Sequence, residues 1–127
     1  MMRAHHIALL TPDLVRLEAF YTQALGLSVL LRWDDLGIVF LDAGGVQLEL
    51  CRLDRAGAPP HALDEGAGLN HLAFGVPQVD ASYAELVAHG ARAISPPQQY
   101  RTLRIAFLAD PDGNVIELVE ENESSRQ

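Results

Sequence analysis

Two carboxylates stand inside two strand-like stretches: Glu49 in GVQLEL (45–50) and Glu117 in GNVIEL (113–118). In each, a Gly is followed four residues later by Glu and then Leu. A carboxylate taken into an apolar layer is costly unless a partner or a metal neutralises it. Each stretch has its own upstream histidine: His6 opens HIALLTP (6–12) and His71 opens HLAFGVP (71–77). Two imidazoles and two carboxylates suit one divalent transition metal (Zn, Ni, Co, Mn or Fe) better than Ca or Mg. Four such ligands in an octahedral field leave two positions for water or substrate. Taken singly, these residues have plainer readings. A strand His is commonly a satisfied structural residue, and a strand Glu commonly faces water. The repetition of both is what argues for a metal.

The elements that must position them are themselves repeated. HIALLTP and HLAFGVP match at His, Ala and Pro, and a helix-like run follows each. DLVRLEAFYTQAL starts at Asp13, a good N-cap, and stops at Gly26; VDASYAELVAHG offers Asp80 as N-cap and stops at Gly90. Strand signals then follow: LSVLLRW, GIVFLDA and VQLEL in the first half, ARAIS, TLRIAFLA and NVIEL in the second. Turn residues sit at AGG (43–45) and DPDG (110–113). His71 lies 65 residues after His6 (71 − 6) and Glu117 lies 68 after Glu49 (117 − 49). The near-constant offset indicates a duplicated unit of strand, helix and three strands, an α+β chain of two tandem βαβββ modules. Module 1 is placed at 1–52, a Gly-, Pro- and Ala-rich linker at 53–68 and module 2 at 69–127, together forming one domain.

Strand parity points the same way. His6 shares a face with Ala8 and Leu10, and His71 with Ala73 and Gly75, while bulkier residues occupy the opposite faces. Glu49 shares its face with Gln47 and Cys51, away from Val46, Leu48 and Leu50. Glu117 has Val115 and Val119 on its own face, so parity speaks less clearly there.

The formal net charge of −8 argues against nucleic acid and anionic membrane surfaces as partners. No apolar run approaches the roughly 20 residues that span a bilayer. The opening MMRAHHIALL does not read as a signal peptide. The single cysteine, Cys51, cannot form an internal disulfide, and the expected compartment is a reducing cytoplasm.

HHIALLTPDLVRLEAFYTQALGLSVL, GLNHLAFGVPQVD and DPDGNVIELVE resemble the vicinal oxygen chelate superfamily, which includes glyoxalase I, extradiol dioxygenases, and fosfomycin- and bleomycin-resistance proteins. The resemblance covers nearly the whole chain. It implies paired βαβββ modules whose sheets curve into a cleft around one metal, a small-molecule substrate and a homodimer. His6, Glu49, His71 and Glu117 match the His-Glu-His-Glu metal set of glyoxalase I. Bleomycin-binding proteins lack that set. Two departures stand out: Leu10 replaces an Arg that helps hold the glutathione carboxylate, and Leu53 replaces an Asn.

The resemblance implies a lyase or isomerase that stabilises an enediolate, with a 2-oxoaldehyde adduct as the candidate substrate. Glu117 would be the principal base and Glu49 its symmetric partner. A thiol transferase of the fosfomycin-resistance type and a non-catalytic small-molecule binding protein are the alternatives. Arg104, Trp33 and Tyr100 are weaker candidates for substrate contact, each with a plainer reading as edge, core or loop residue. Tyr100 and Arg101 fall in PPQQYRTL, read as a loop. His5, His61 and His89 are assigned no function.

Overall fold

The computed structural model describes residues 1–54 and 68–121. His61 and most of the expected linker lie outside the described residues. The chain forms two compact units, Met1–Ala62 and Leu63–Gln127.

The first unit runs β1 (His6–Thr11), α1 (Leu14–Ala19), β2 (Ser28–Trp33), β3 (Ile38–Asp42) and β4 (Gln47–Arg52). Its sheet has the order β1-β4-β3-β2, with β1 parallel to β4 and the other neighbours antiparallel. The second unit runs β5 (Leu72–Gly75), α2 (Val79–Ala88), β6 (Arg92–Tyr100), β7 (Leu103–Ala109) and β8 (Val115–Glu121). Its sheet repeats the pattern as β5-β8-β7-β6. The α+β reading and the doubled βαβββ order are thereby seen directly.

In each unit the alternation of side chains sends one set toward the helix. Leu17, Tyr21, Val39, Leu41, Leu48 and Leu50 are buried in the first unit; Val79, Leu86, Ala106, Leu108, Ile116 and Leu118 are buried in the second. Removing each such aliphatic side chain from water stabilises the fold by roughly 1.5–3 kcal/mol. An ion pair ties sheet to helix in each unit. Arg32 on β2 donates to both carboxylate oxygens of Glu18 on α1, at 2.5 and 2.6 Å. Arg104 on β7 does the same to Asp80 on α2, at 2.6 and 2.8 Å.

The structure departs from the sequence expectation at three places. The first helix is capped by Asp13 as expected, its carboxylate accepting from the Arg16 amide, but α-geometry ends at Ala19 and a π-helical turn covers Phe20–Ala24. There the Thr22 hydroxyl donates to the Glu18 carbonyl at 2.8 Å, taking the oxygen that an α-turn would offer to the Thr22 amide. The second helix begins at Val79, ahead of Asp80. Its cap is not local: Glu120 on β8 accepts from the Val79 amide at 2.9 Å. Asp80 is instead drawn to Arg104. Finally, β6 runs through Ser95, Pro96 and Pro97 to Tyr100 rather than ending in a loop. It is an edge strand whose register shifts between Ala93 and Ser95 and again between Ser95 and Gln98. Prolines are tolerated there because an edge position does not need their amide hydrogen.

The expected turns form. Gly44 and Gly45 take φ of 82° and 94° between β3 and β4. Asp110 organises the DPDG turn, its carboxylate accepting from the Asp112 and Asn114 amides at 2.9 Å each. No helix among the described residues is long and apolar enough to cross a membrane.

Candidate metal centre

In the first unit β1 and β4 run in parallel with Ala8 beside Glu49. In the second, β5 and β8 run in parallel with Ala73 beside Glu117. Each alanine is the smallest side chain that keeps strand geometry, and it leaves the space above it open. The histidine two residues upstream shares that face and turns across it. His6 Nε2 comes to 3.6 Å from Glu49 Oε1, and His71 Nε2 to 3.0 Å from Glu117 Oε1.

The other side of each glutamate is occupied by an aromatic ring. Phe40 is the antiparallel partner of Glu49, and Phe107 that of Glu117. Each ring meets its histidine edge-on, with centroids 5.7 Å apart for His6 and Phe40 and 5.6 Å for His71 and Phe107. So each unit builds the same quartet of His, Ala, Glu and Phe. The phenylalanines were not singled out by sequence reading, yet a signal was present. GIVFLDA and RIAFLAD align, and Phe107 follows Phe40 by 67 residues (107 − 40).

The second imidazole nitrogen is also engaged. His71 Nδ1 lies 2.8 Å from Asn70 Oδ1, and His6 Nδ1 lies 2.9 Å from His5 Nδ1. A metal-binding histidine commonly has its remote nitrogen held in this way. In the tautomer whose Nδ1 hydrogen goes to Asn70, the His71 Nε2 lone pair would face a carboxylate oxygen 3.0 Å away. Two acceptors sit that close only when a proton or a metal cation lies between them. The donor chemistry within each pair, one imidazole and one carboxylate, is of the kind that suits a divalent transition metal. The structure assembles the expected set as these pairs. Among the described residues, no group of three or more His, Cys, Asp and Glu side chains is gathered into a metal-holding cluster.

The weaker candidates fall into two groups. Trp33 stacks edge-on against Phe40 with centroids 5.6 Å apart, and so borders the His6–Glu49 face while remaining half-exposed. Tyr100 pairs with Leu103, whose parity matches Phe107, and occupies the corresponding end of β6. Arg104 has the opposite parity to Phe107 and turns to the helix-bearing face. There it holds the Asp80 carboxyl below the usual carboxylate range through its hydrogen bonds, and its own guanidinium is raised in return. Arg32 is committed to Glu18 in the same manner, and its affinity for its proton is raised by that hydrogen bond.

Cys51 is buried on the Glu49 face beside Ile38 and Phe40, with Leu10 packed against them. In the second unit a cavity of about 610 Å³ is lined by Ala73, Gly75, Val76, Pro77, Val119 and Glu121, partly along the face that carries Glu117.

The family model described as the Glyoxalase/Bleomycin resistance protein/Dioxygenase superfamily matches residues 3–118. The chain is 31% identical to the uncharacterized protein YaeR of Escherichia coli, over 95% of this chain and 98% of that protein. It is 30% identical to a probable lactoylglutathione lyase of Vibrio cholerae, over 96% of this chain and 93% of that one. The crystal structure of a lactoylglutathione lyase from Agrobacterium tumefaciens is similar with a TM-score of 0.69 and 25% identity, covering 93% of this chain and 92% of that chain.

Proposed function

The chain belongs to the glyoxalase/bleomycin resistance protein/dioxygenase superfamily, and on that footing we propose that it is a metal-dependent lyase or isomerase of glyoxalase I type. His6, Glu49, His71 and Glu117 are the proposed ligands of one divalent metal (Ni, Zn, Co, Mn or Fe). The observation that carries this reading is the His71–Glu117 pair, an imidazole nitrogen and a carboxylate oxygen 3.0 Å apart, whose counterpart recurs at His6 and Glu49. Each unit offers two donors, so a four-ligand centre draws on both kinds of unit, from one chain or from two. The similarity to proteins named lactoylglutathione lyase supports the reaction class, and a homodimer is part of the proposal.

A divalent metal held by His6, Glu49, His71 and Glu117 would supply a Lewis acid for negative charge that develops on substrate oxygen. The chain's own residues do the rest. His6 and His71 act as neutral donors. The Glu117 carboxylate takes a proton from one substrate carbon and returns it to the neighbouring one, with Glu49 as its counterpart. Phe40 and Phe107 stand beside the two glutamates on the antiparallel neighbour strands.

The substrate is proposed to be a 2-oxoaldehyde adduct or a related compound with two vicinal oxygens. Its carrier group is read as less anionic than glutathione. Leu10, at the place of the glutathione-holding Arg, packs against the Ile38, Phe40 and Cys51 cluster. Arg32 and Arg104 are both engaged on the helix side of their sheets.

The test is turnover of 2-oxoaldehyde adducts, the glutathione–methylglyoxal adduct first, by protein reconstituted separately with Ni and Zn. Metal occupancy is measured in the same samples. Metal-dependent isomerisation supports the reading. Fully metallated protein that turns over no 2-oxoaldehyde adduct would remove it.

A further inference from the structure

The two donor pairs differ in what stands beside them. Leu10 follows His6 by four residues, and Gly75 follows His71 by four. In the first unit the Leu10 side chain packs against Ile38, Phe40 and Cys51, all of them buried. The corresponding residues of the second unit are Ile105, Phe107 and Val119, at offsets of 67, 67 and 68 (105 − 38, 107 − 40, 119 − 51). Gly75 brings no side chain to the place of Leu10, and Phe107 and Val119 are only half-buried. The cavity of about 610 Å³ opens there, with Gly75 and Val119 in its lining. The backbone does not require glycine at this position. Gly75 has no positive φ, and a Cβ on it would meet nothing within 4 Å. Glycine inside a strand is a common mark of close approach by a ligand.

We propose that this cavity takes an uncharged, apolar group of a small molecule, the carrier group of the substrate, and that Gly75 is the residue that determines what fits. The placement of a substrate rests on the function proposed above; the affinity for an apolar group does not. Val119 follows Glu117 by two residues on the same face of β8, about 7 Å along the strand, so a group seated over Gly75 adjoins the proposed base. The volume lies within the range of small-molecule sites, about 300–1,000 Å³. Apart from Glu121, the lining side chains are apolar or, at Gly75, absent, and they offer surface that an apolar group would remove from water. The Glu121 carboxylate opposes an anionic group, and no cation lines the cavity among the described residues. The duplication thus carries one filled and one open copy of the same place.

The experiment is methyl NMR of the full-length, metal-free chain titrated with benzyl alcohol and, separately, with benzoate. The probes share a ring and differ in charge, and thermal unfolding is the control. Benzyl alcohol is expected to shift the Val76 and Val119 methyl signals and to give ring-to-methyl NOEs to Val119. Benzoate should bind about tenfold more weakly or worse, because its charge would leave water unpaired. Gly75→Leu copies the first unit and should weaken benzyl alcohol binding by about tenfold or more. Gly75→Val, whose branched side chain suits a strand, should act in the same direction. In zinc-loaded protein, Gly75→Leu should raise KM for the methylglyoxal adduct of benzyl mercaptan while zinc content stays unchanged.

No NOE from benzyl alcohol to Val119 in the wild-type chain would overturn the proposal. So would equal affinity for benzoate, or undiminished binding in a folded Gly75→Leu or Gly75→Val. A chain that binds benzyl alcohol over Gly75 yet turns over no adduct upholds the cavity and removes the lyase reading instead.

Discussion

His71 Nε2 lies 3.0 Å from Glu117 Oε1, and His6 stands to Glu49 in the same relation at 3.6 Å. In both units the glutamate is flanked by alanine on its parallel neighbour and by phenylalanine on its antiparallel one. The duplication therefore preserves a surrounding as well as a His–Glu pair.

Glu117→Gln is expected to lower turnover by about 10²-fold or more, because an amide cannot move the proton. Much of the bound metal should remain, held by the other three ligands. Steady-state kinetics beside metal analysis checks this; full activity in the variant would take the proton-transfer role away from Glu117.

Leu50 is fully buried on the helix side of β4, directly after Glu49. Leu50→Ala should cost about 3 kcal/mol of folding stability through lost transfer energy and the cavity left behind. Urea titration gives the value, and a loss below about 1 kcal/mol would mean that the layer collapses around the gap.

Glu120 caps α2 from across the unit through the Val79 amide. Glu120→Ala removes the acceptor and should destabilise the protein by about 1–2 kcal/mol, with Glu120→Gln retaining most of the stability through its amide oxygen. Equal unfolding midpoints for the two variants would show that the cap contributes nothing.

Arg104 keeps the folded-state Asp80 carboxyl below the usual carboxylate range, first through its hydrogen bonds and then through its charge. A depressed folded value stabilises the protein above the titration of the unfolded carboxylate. That contribution is lost as pH falls through the folded value. Arg104→Gln should therefore show a shallower decline in stability below about pH 4 than the parent. Both side chains are exposed, so salt should reduce the difference. Denaturation curves across acidic pH at low and high salt make the comparison, and parallel declines would contradict it.

Much of this was legible in the chain. The period of two along each strand put His6, Ala8 and Glu49 on open faces, and the near-constant offset tied His71 and Glu117 to them. What escaped depends on contacts distant in sequence. Asp80 reads as a helix cap because only its neighbours are visible, but Glu120 is brought to the helix start by the sheet. Arg104 reads as a weak candidate for substrate contact beside a plain edge Arg until parity with Phe107 is fixed by its pairing with β8. PPQQY reads as a loop because proline punctuates local structure, and only an edge position in the sheet admits it as strand. Phe40 and Phe107 were overlooked because aromatic residues in apolar runs ordinarily signal core.

The central claim is that one metal is held jointly by residues repeated in the two units. Zinc titration of the wild-type chain, His6→Ala and His71→Ala by calorimetry, with metal analysis of each, tests it most directly. The account predicts one zinc per wild-type chain and a severe loss of affinity in both variants, because each removes a ligand from the same centre. Two independent zinc sites per chain, or undiminished binding in either variant, would contradict it.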